Sequence, residues 1–204
     1  MSHYFTNDEI KSNEKIYVTK INDIELKFYT DNGVFSKNKL DFGTRTLLEN
    51  LEIDRFRGKI LDFGCGIGPI GIYLSLKTKE KIDMIDINKR SISLAIKNSK
   101  LNNANTNIFE SNIYEKINKK YDFIVSNPPI RVGNKVLYKI LFEAKEHLNE
   151  NGELWIIINK DQGAKTITKN LEQFYDVTIV EKNKGFYVIK AVNHWHIELR
   201  LVQL

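Results

Sequence analysis

Residues Leu61 to Gly71 read LDFGCGIGPIG, a stretch with two spellings. Gly66, Gly68 and Gly71 spell G-x-G-x-x-G, the dinucleotide-binding fingerprint. Asp62 with Gly64, Gly66 and Gly68 spells D-x-G-x-G-x-G in the same residues. Either way, the apolar run KILDF (59–63) ahead of the glycines is a strand, and Ile70, Tyr73 and Leu74 behind them fall at helical spacing. A dinucleotide fingerprint begins immediately after its strand, because its first glycine makes the turn into the helix. With Gly66 as that first glycine, Asp62 and Gly64 would lie within the strand end. Ending the strand at Phe63 and turning at Gly64 removes the conflict. It leaves Asp62 at the strand's carboxyl edge, facing a ligand crevice. Cys65 is then a small spacer, with no base nearby in sequence to activate it.

The pattern repeats outward from this unit. KIDMIDI (81–87) is a strand ending near Asp86, and Asn88 caps a helix with Ile92, Ala95 and Ile96 at helical spacing. TNIFE (106–110) and YDFIVS (121–126) are strands. Val136, Leu137, Ile140, Leu141, Ala144 and Leu148 form the face of a long helix that stops before Gly152. ELWIIIN (153–159) is a buried strand that includes Trp155, and a helix near 162–173 follows. DVTIVEKNKGFYVIKAV then closes as a hairpin turning near Lys184-Gly185. Ahead of the unit, KIYVTKINDIELKFYT alternates in period two, with Ile24, Leu26 and Phe28 on one side and a turn at Asn22-Asp23. A helix spans roughly Asp41 to Leu51. Repeated strand–helix units imply a doubly wound α/β fold, with a mostly parallel seven-stranded sheet, an antiparallel C-terminal edge hairpin and a small N-terminal β-hairpin. Residues 1–38 are expected to form the hairpin and a lid-like segment, and 39–204 the main domain. Ligands of such a fold sit at the carboxyl ends of the strands.

Composition narrows the setting. The chain has 204 residues, 42% of them hydrophobic, with three prolines and a single cysteine. One cysteine excludes an intrachain disulfide and a thiolate zinc cluster. The N-terminus is polar from its first residues, and no apolar run approaches a membrane span, so a cytoplasmic protein is expected. A net charge of +5 suits a polyanionic partner. It equally reflects a chain rich in Lys, Asn and Ile together, so charge alone does not decide the matter.

The chemistry is carried by Asn127-Pro128-Pro129-Ile130, directly after the strand 121–126 and at the same crevice. Adjacent prolines fix φ and remove two N–H donors. What remains is a rigid pair of acceptors, the Asn127 side-chain oxygen and the Pro128 carbonyl. Two acceptors suit an exocyclic amino group, whose lone pair is delocalised until hydrogen bonds to both its protons favour a pyramidal nitrogen.

With the glycine loop, this arrangement resembles the class I S-adenosylmethionine-dependent methyltransferases that carry an Asn-Pro-Pro-aromatic motif. Within them it is most similar to the catalytic domain of the small-subunit ribosomal RNA guanine-N2 methyltransferases. The resemblance runs from Gly33 to about Val192, through GVFS, DFGTRTLLE, LDFGCGIGPIG, Asp86, ESNIY and SNPPIRVGNKVLY. It implies S-adenosylmethionine as cofactor and an exocyclic amino nitrogen as acceptor. RNA, as ribosomal RNA or a ribosomal subunit, would be the partner. It also implies that Asp62 pairs the cofactor's ammonium, that Gly64, Gly66 and Gly68 allow close backbone approach, and that Asp86 takes the ribose hydroxyls. Ile87 would pack on the adenine, Asn112 would meet the adenine edge, and Phe35 would cover the cofactor. One departure is Ile130, where the family commonly has Phe or Tyr to stack on a flipped base.

Competing readings are weaker. An NAD-dependent oxidoreductase leaves Asn-Pro-Pro unexplained, and a non-catalytic binding module would not require both acids and Asn127. Within the enzyme class, a protein glutamine amide or an adenine amino group are alternative acceptors. His194 and His196 share a strand face but lack a third metal ligand. Lys120, Arg131 and Lys135 bracket the crevice side, where solvated charges are ordinary. Asp86, read as a strand-end acid facing a crevice, is expected to carry little of the fold's packing.

Overall fold

The computed structural model describes residues 11–34, 39–129 and 133–194. In chain order the elements begin with β1 (Lys15–Ile21), β2 (Ile24–Thr30) and α1 (Phe42–Glu49). The central units are β3 (Ile60–Phe63), α2 (Pro69–Thr78), β4 (Ile82–Asp86), α3 (Lys89–Leu101), β5 (Thr106–Glu110) and β6 (Tyr121–Ser126). They are followed by α4 (Asn134–Glu143), β7 (Leu148–Asn159), α5 (Ala164–Leu171), β8 (Asp176–Asn183) and β9 (Phe186–Val192). Among the described residues no helix is long and apolar enough to cross a membrane.

Strands that are buried along their whole length belong where helices cover both faces. Every residue of β3 and β4 is buried, and these strands lie inside a seven-stranded sheet of order β5-β4-β3-β6-β7-β9-β8. β3 pairs in parallel with β4 and β6, and β7 runs parallel to β6. Only β9, inserted between β7 and β8, runs against the others. Its hairpin turns at Lys184 and Gly185, with φ of 45° and 84°, the left-handed pair that matches the twist of a tight hairpin. The two faces of the sheet carry separate cores. One includes Leu47, Ile72, Tyr73 and Trp155, and the other includes Ile124, Leu141, Ile156 and Tyr175. The expected fold class is the one observed.

Two expectations need correction. The helix read through to Leu148 ends at Glu143 and gives way to a 3-10 turn, Ala144–His147. Leu148 is already opposite Tyr121 as the first residue of β7. The apolar spacing continues across the boundary because Leu148 is buried in the same core as Leu141 and Ala144. Asn151, at φ 60°, and Gly152, where a Cβ would meet the Asn149 carbonyl oxygen at 2.9 Å, lie further on, inside β7, where its pairing with β6 shifts register. In α3, Asn88 caps the helix as read, its side chain accepting from the Ser91 N–H. However, Ile96 is 39% exposed, whereas Leu94, Ala95 and Asn98 face inward.

Asn98 explains why a polar residue lies on that inner face. The N-terminal hairpin packs beside α3, and the edge of β2 would otherwise present unpaired backbone groups. Asn98, wholly buried, accepts from the Tyr29 N–H at 2.7 Å and donates to the Tyr29 carbonyl at 3.0 Å. One turn later, Asn102 makes the same pair of bonds with Lys27. Two asparagines at i, i+4 thus satisfy two residues of β2 at i, i+2. Asn98 also donates to the Ile67 carbonyl at 2.9 Å, so one side chain joins the hairpin to the glycine loop.

Candidate active site

The loop between β3 and α2 settles which glycine spelling builds the turn. Gly64, Gly66 and Gly68 all adopt left-handed φ, at 70°, 53° and 102°, a region open to glycine at little cost. Gly71 is already helical, and its constraint is contact: a Cβ there would meet the Met84 Cγ and Sδ at 2.6 Å. The turn therefore belongs to D-x-G-x-G-x-G, and Gly71 serves the packing of α2 on β4.

Two carboxylates hold this loop from below. Asp62 has no exposed surface, and its Oδ2 accepts the Gly71 N–H at 2.8 Å. Its Oδ1 is buried with no hydrogen-bond partner among the described residues. Burial, reinforced by the nearby charge of Asp86, pushes the Asp62 carboxyl up to about 8. Asp62 thus lies beneath the loop rather than open to the crevice. Asp86, at the end of the neighbouring strand, accepts the Gly66 N–H through Oδ2 and the Asn88 N–H through Oδ1, both at 2.8 Å. It is 4% exposed, and burial raises its pKa as well. The expectation that Asp86 carries little of the fold is therefore overturned: it secures two backbone N–H groups, one in the loop and one at the start of α3.

Above the carboxylates the surface opens. A Cβ on Gly66 would meet nothing within 4 Å, and Ile87 beside Asp86 is 36% exposed. The Ser111 N–H bonds to the Asp86 carbonyl at 3.0 Å, which brings the end of β5 alongside. Asn112, exposed there, donates to Glu115 Oε1 at 2.7 Å.

The Asn-Pro-Pro segment meets the loop from the other side. β6 is the parallel neighbour of β3, with Val125 opposite Asp62. Ser126 Oγ donates to the Phe63 carbonyl at 2.8 Å, and a Cβ on Gly64 would touch the Pro129 ring at 3.8 Å. Pro128 is buried. Asn127 is half-buried, and its Nδ2 donates to Thr44 Oγ1 at 2.9 Å and to Asp41 Oδ2 at 3.1 Å. Its Oδ1 receives no hydrogen bond from a described residue.

Asp62, Gly64, Gly66, Gly68, Asp86, Ile87, Asn112, Asn127, Pro128 and Pro129 thus gather at the carboxyl ends of adjacent strands. Phe35, Ile130, Arg131 and His196 lie outside the described residues. Lys120 and Lys135 are exposed, one just ahead of β6 and the other in the first turn of α4. His194 pairs with Asn151 across 3.0 Å, and among the described residues no group of three His, Cys, Asp or Glu side chains is placed to hold a metal ion. Sequence reasoning misses Asp41 and Thr44 as site residues. Their signal is an N-cap, D-x-x-T before the apolar Leu47-Leu48, whose tertiary partner the sequence does not show.

The chain matches the family model described as methyltransferase small domain over residues 25–190. It is 40% identical to the Bacillus subtilis protein YbxB over 93% of this chain and 97% of that one. It is 37% identical to ribosomal RNA small subunit methyltransferase C of Haemophilus influenzae over 82% of this chain. It spans about half, 52%, of that relative's length. Among solved structures, the Thermus thermophilus 16S rRNA N2 G1207 methyltransferase, in complex with AdoMet and guanosine, superposes with a TM-score of 0.81 at 22% identity. That match covers 90% of this chain and 52% of the other.

Substitution of each carboxylate has a defined consequence. Asp86→Ala leaves the buried Asn88 N–H and the part-buried Gly66 N–H without their acceptor, at about 1–3 kcal/mol for a group kept from water. Urea unfolding should show a loss within that scale, and an unchanged midpoint would remove Asp86 from its supporting role. For Asp62, the folded carboxyl keeps its proton up to about pH 8, whereas the unfolded one releases it near pH 4. The unfolded state is then favoured progressively as pH rises between those limits. Asp62→Asn, which retains an acceptor for Gly71, should gain stability relative to the parent as pH rises from 4 to 8. Parallel stability curves for the two proteins would contradict the raised pKa.

Proposed function

The chain belongs to the methyltransferase small domain family, and from that premise we propose that it methylates an exocyclic amino nitrogen, guanine N2 of small-subunit ribosomal RNA, using S-adenosylmethionine. The observation that carries this reading is the orientation of Asn127. Both of its N–H bonds are taken by α1 and its cap, so its oxygen is the atom left for a ligand.

The residues present fit the cofactor. Gly66 offers open space above the loop, Ile87 an exposed apolar face, and Asn112 a polar edge. Each Asp86 oxygen keeps a second lone pair after accepting its backbone N–H, enough to accept ribose hydroxyls. Asp62 Oδ1, buried and without a hydrogen-bond partner among the described residues, would give up its proton to pair an ammonium, directly or through water. When bound, S-adenosylmethionine supplies an electrophilic methyl group, whose bond to sulfur breaks as the bond to the acceptor nitrogen forms.

The chain's own residues act on that nitrogen. The amino lone pair of guanine is delocalised into the ring, and a planar amino group presents no lone pair for attack. Asn127 Oδ1 accepts one amino proton and the Pro128 carbonyl the other, which favours the pyramidal nitrogen. No base is required beforehand, because the nitrogen becomes acidic only as its fourth bond forms. The proton then leaves to solvent. An uncharged carboxamide suits this role, since it directs the proton without competing for it. The pre-set geometry lowers the barrier by orientation and by stabilising charge that develops at the nitrogen. The ribosomal acceptor is supported by the identity to methyltransferase C proteins and by the net positive charge.

Labelled methyl transfer tests the acceptor. Small ribosomal subunits, naked small-subunit RNA, DNA and a protein carrying an exposed glutamine amide are compared, and the labelled product is identified after digestion. N2-methylguanosine from the subunit or its RNA is expected. Label recovered in adenosine or in glutamine would replace guanine as the acceptor. Asn127→Ala should lower kcat about 10²-fold or more, as for loss of one preorganised hydrogen-bonding group, while cofactor affinity changes far less. Turnover near the parent rate would refute the amino-group mechanism.

A further inference from the structure

A carboxamide has two faces of opposite character, and a half-turn about χ2 exchanges its oxygen for its NH2 group. The proposed chemistry requires the oxygen of Asn127 to face the acceptor nitrogen. With the amide reversed, its NH2 group would point at another NH2 group and block attack. Something must therefore fix the amide, and the backbone cannot do so, since χ2 of asparagine is broad.

Two groups at the start of α1 meet the Asn127 Nδ2. The first is Asp41, whose Oδ2 lies 3.1 Å away. Ionised, a carboxylate is acceptor-only. The second is the Thr44 hydroxyl at 2.9 Å, which in general can donate or accept. Here its proton has another destination, because Thr44 Oγ1 also lies 3.4 Å from the same Asp41 oxygen. Donation to Asp41 leaves only lone pairs directed at Asn127. The Thr44 N–H further bonds Asp41 Oδ2 at 2.9 Å, which ties the carboxylate to the first turn of α1. Thr44 itself is 4% exposed, so water does not readily compete for its hydroxyl. Both partners thus offer acceptors alone, and a reversed amide would set its oxygen against a carboxylate.

We infer that Asp41 and Thr44 are positioning residues that lock the Asn127 carboxamide with its oxygen toward the acceptor nitrogen; the inference rests on the amino-methylation reading above. Asp41 accordingly has two separable duties, capping α1 and orienting Asn127, and both fall on one oxygen. The carboxylate touches neither acceptor nor cofactor in this role. It acts through Asn127.

Three variants separate the duties. Thr44→Val removes the hydroxyl and keeps the shape. Asp41→Ser keeps a residue favoured at the helix cap but is too short to span both partners. Asp41→Asn keeps an oxygen for the cap and for Asn127. Single-turnover methyl transfer to small-subunit RNA, cofactor calorimetry and thermal melting are measured for each, with exchange of the Asn127 side-chain amide protons followed by NMR. Thr44→Val and Asp41→Ser should lower the single-turnover rate tenfold or more, leave the cofactor dissociation constant within about twofold, and speed the Asn127 amide exchange. Asp41→Asn should recover most of the rate. Unchanged rate and exchange in Thr44→Val and Asp41→Ser, alongside an inactive Asn127→Ala, would overturn the lock while the amino-methylation reading stands. An active Asn127→Ala would overturn that reading itself. If the rate fell only in proportion to melting temperature, with amide exchange unaltered, the role of α1 would be structural and the lock would fail.

Discussion

Two buried carboxylates from adjacent parallel strands hold up the loop on which the site is built. Asp62 takes the Gly71 N–H and Asp86 takes the Gly66 N–H, so the turn is tied at its middle and at the start of α2. Carboxylates shut away from water are costly unless hydrogen-bonded, and here both are shifted toward the protonated form. The arrangement accepts that cost in exchange for a loop whose outer face carries no side chain at Gly66. A fold optimised for stability alone would place apolar residues at these strand ends. That acids stand there, one of them with an oxygen that has no partner among the described residues, is what supports the proposed cofactor site over an ordinary turn.

The rest of the site is attached to this loop by neighbouring elements. β6 lies beside β3 and delivers Asn127 and Pro129 to the loop's edge. The start of α1 supplies Asp41 and Thr44 to Asn127. Asn98 of α3 bridges the loop and the N-terminal hairpin. The hairpin therefore belongs mechanically to the site, although it contributes none of the proposed binding residues within the described part of the chain. Movement of the hairpin would pull on Ile67, inside the glycine loop.

The inner strands are legible in the sequence because parallel strands covered on both faces read as largely apolar runs, and the span 121–126 coincides with β6; the span 106–110 coincides with β5 although that edge strand is only partly buried. The end of α4 is not legible, since Leu148 continues the helical spacing while belonging to a strand. Burial alone does not distinguish the two. The motif residues are legible for a different reason: glycines, acids and Asn-Pro-Pro follow strand ends directly, so local order already places them at the crevice. What local order does not contain is who meets whom across the fold. Asp86 reads as a crevice acid, and its grip on Gly66 and Asn88 depends on strand pairing. Asp41 reads only as the start of a helix, and its contact with Asn127 joins residues far apart in the chain. Asn98 carries no signal in the sequence, because what it serves is the backbone edge of β2, a tertiary neighbour.

Everything proposed for the chemistry depends on the loop and its two acids holding S-adenosylmethionine, and not a dinucleotide spelled by Gly66, Gly68 and Gly71. Titration calorimetry of the intact chain with S-adenosylmethionine, its demethylated product, NAD and FAD resolves the choice. Saturable one-to-one binding of the first two, with no heat of binding from NAD or FAD, is the expected result. Binding of NAD with none of S-adenosylmethionine would overturn the assignment of the loop and every role built on it.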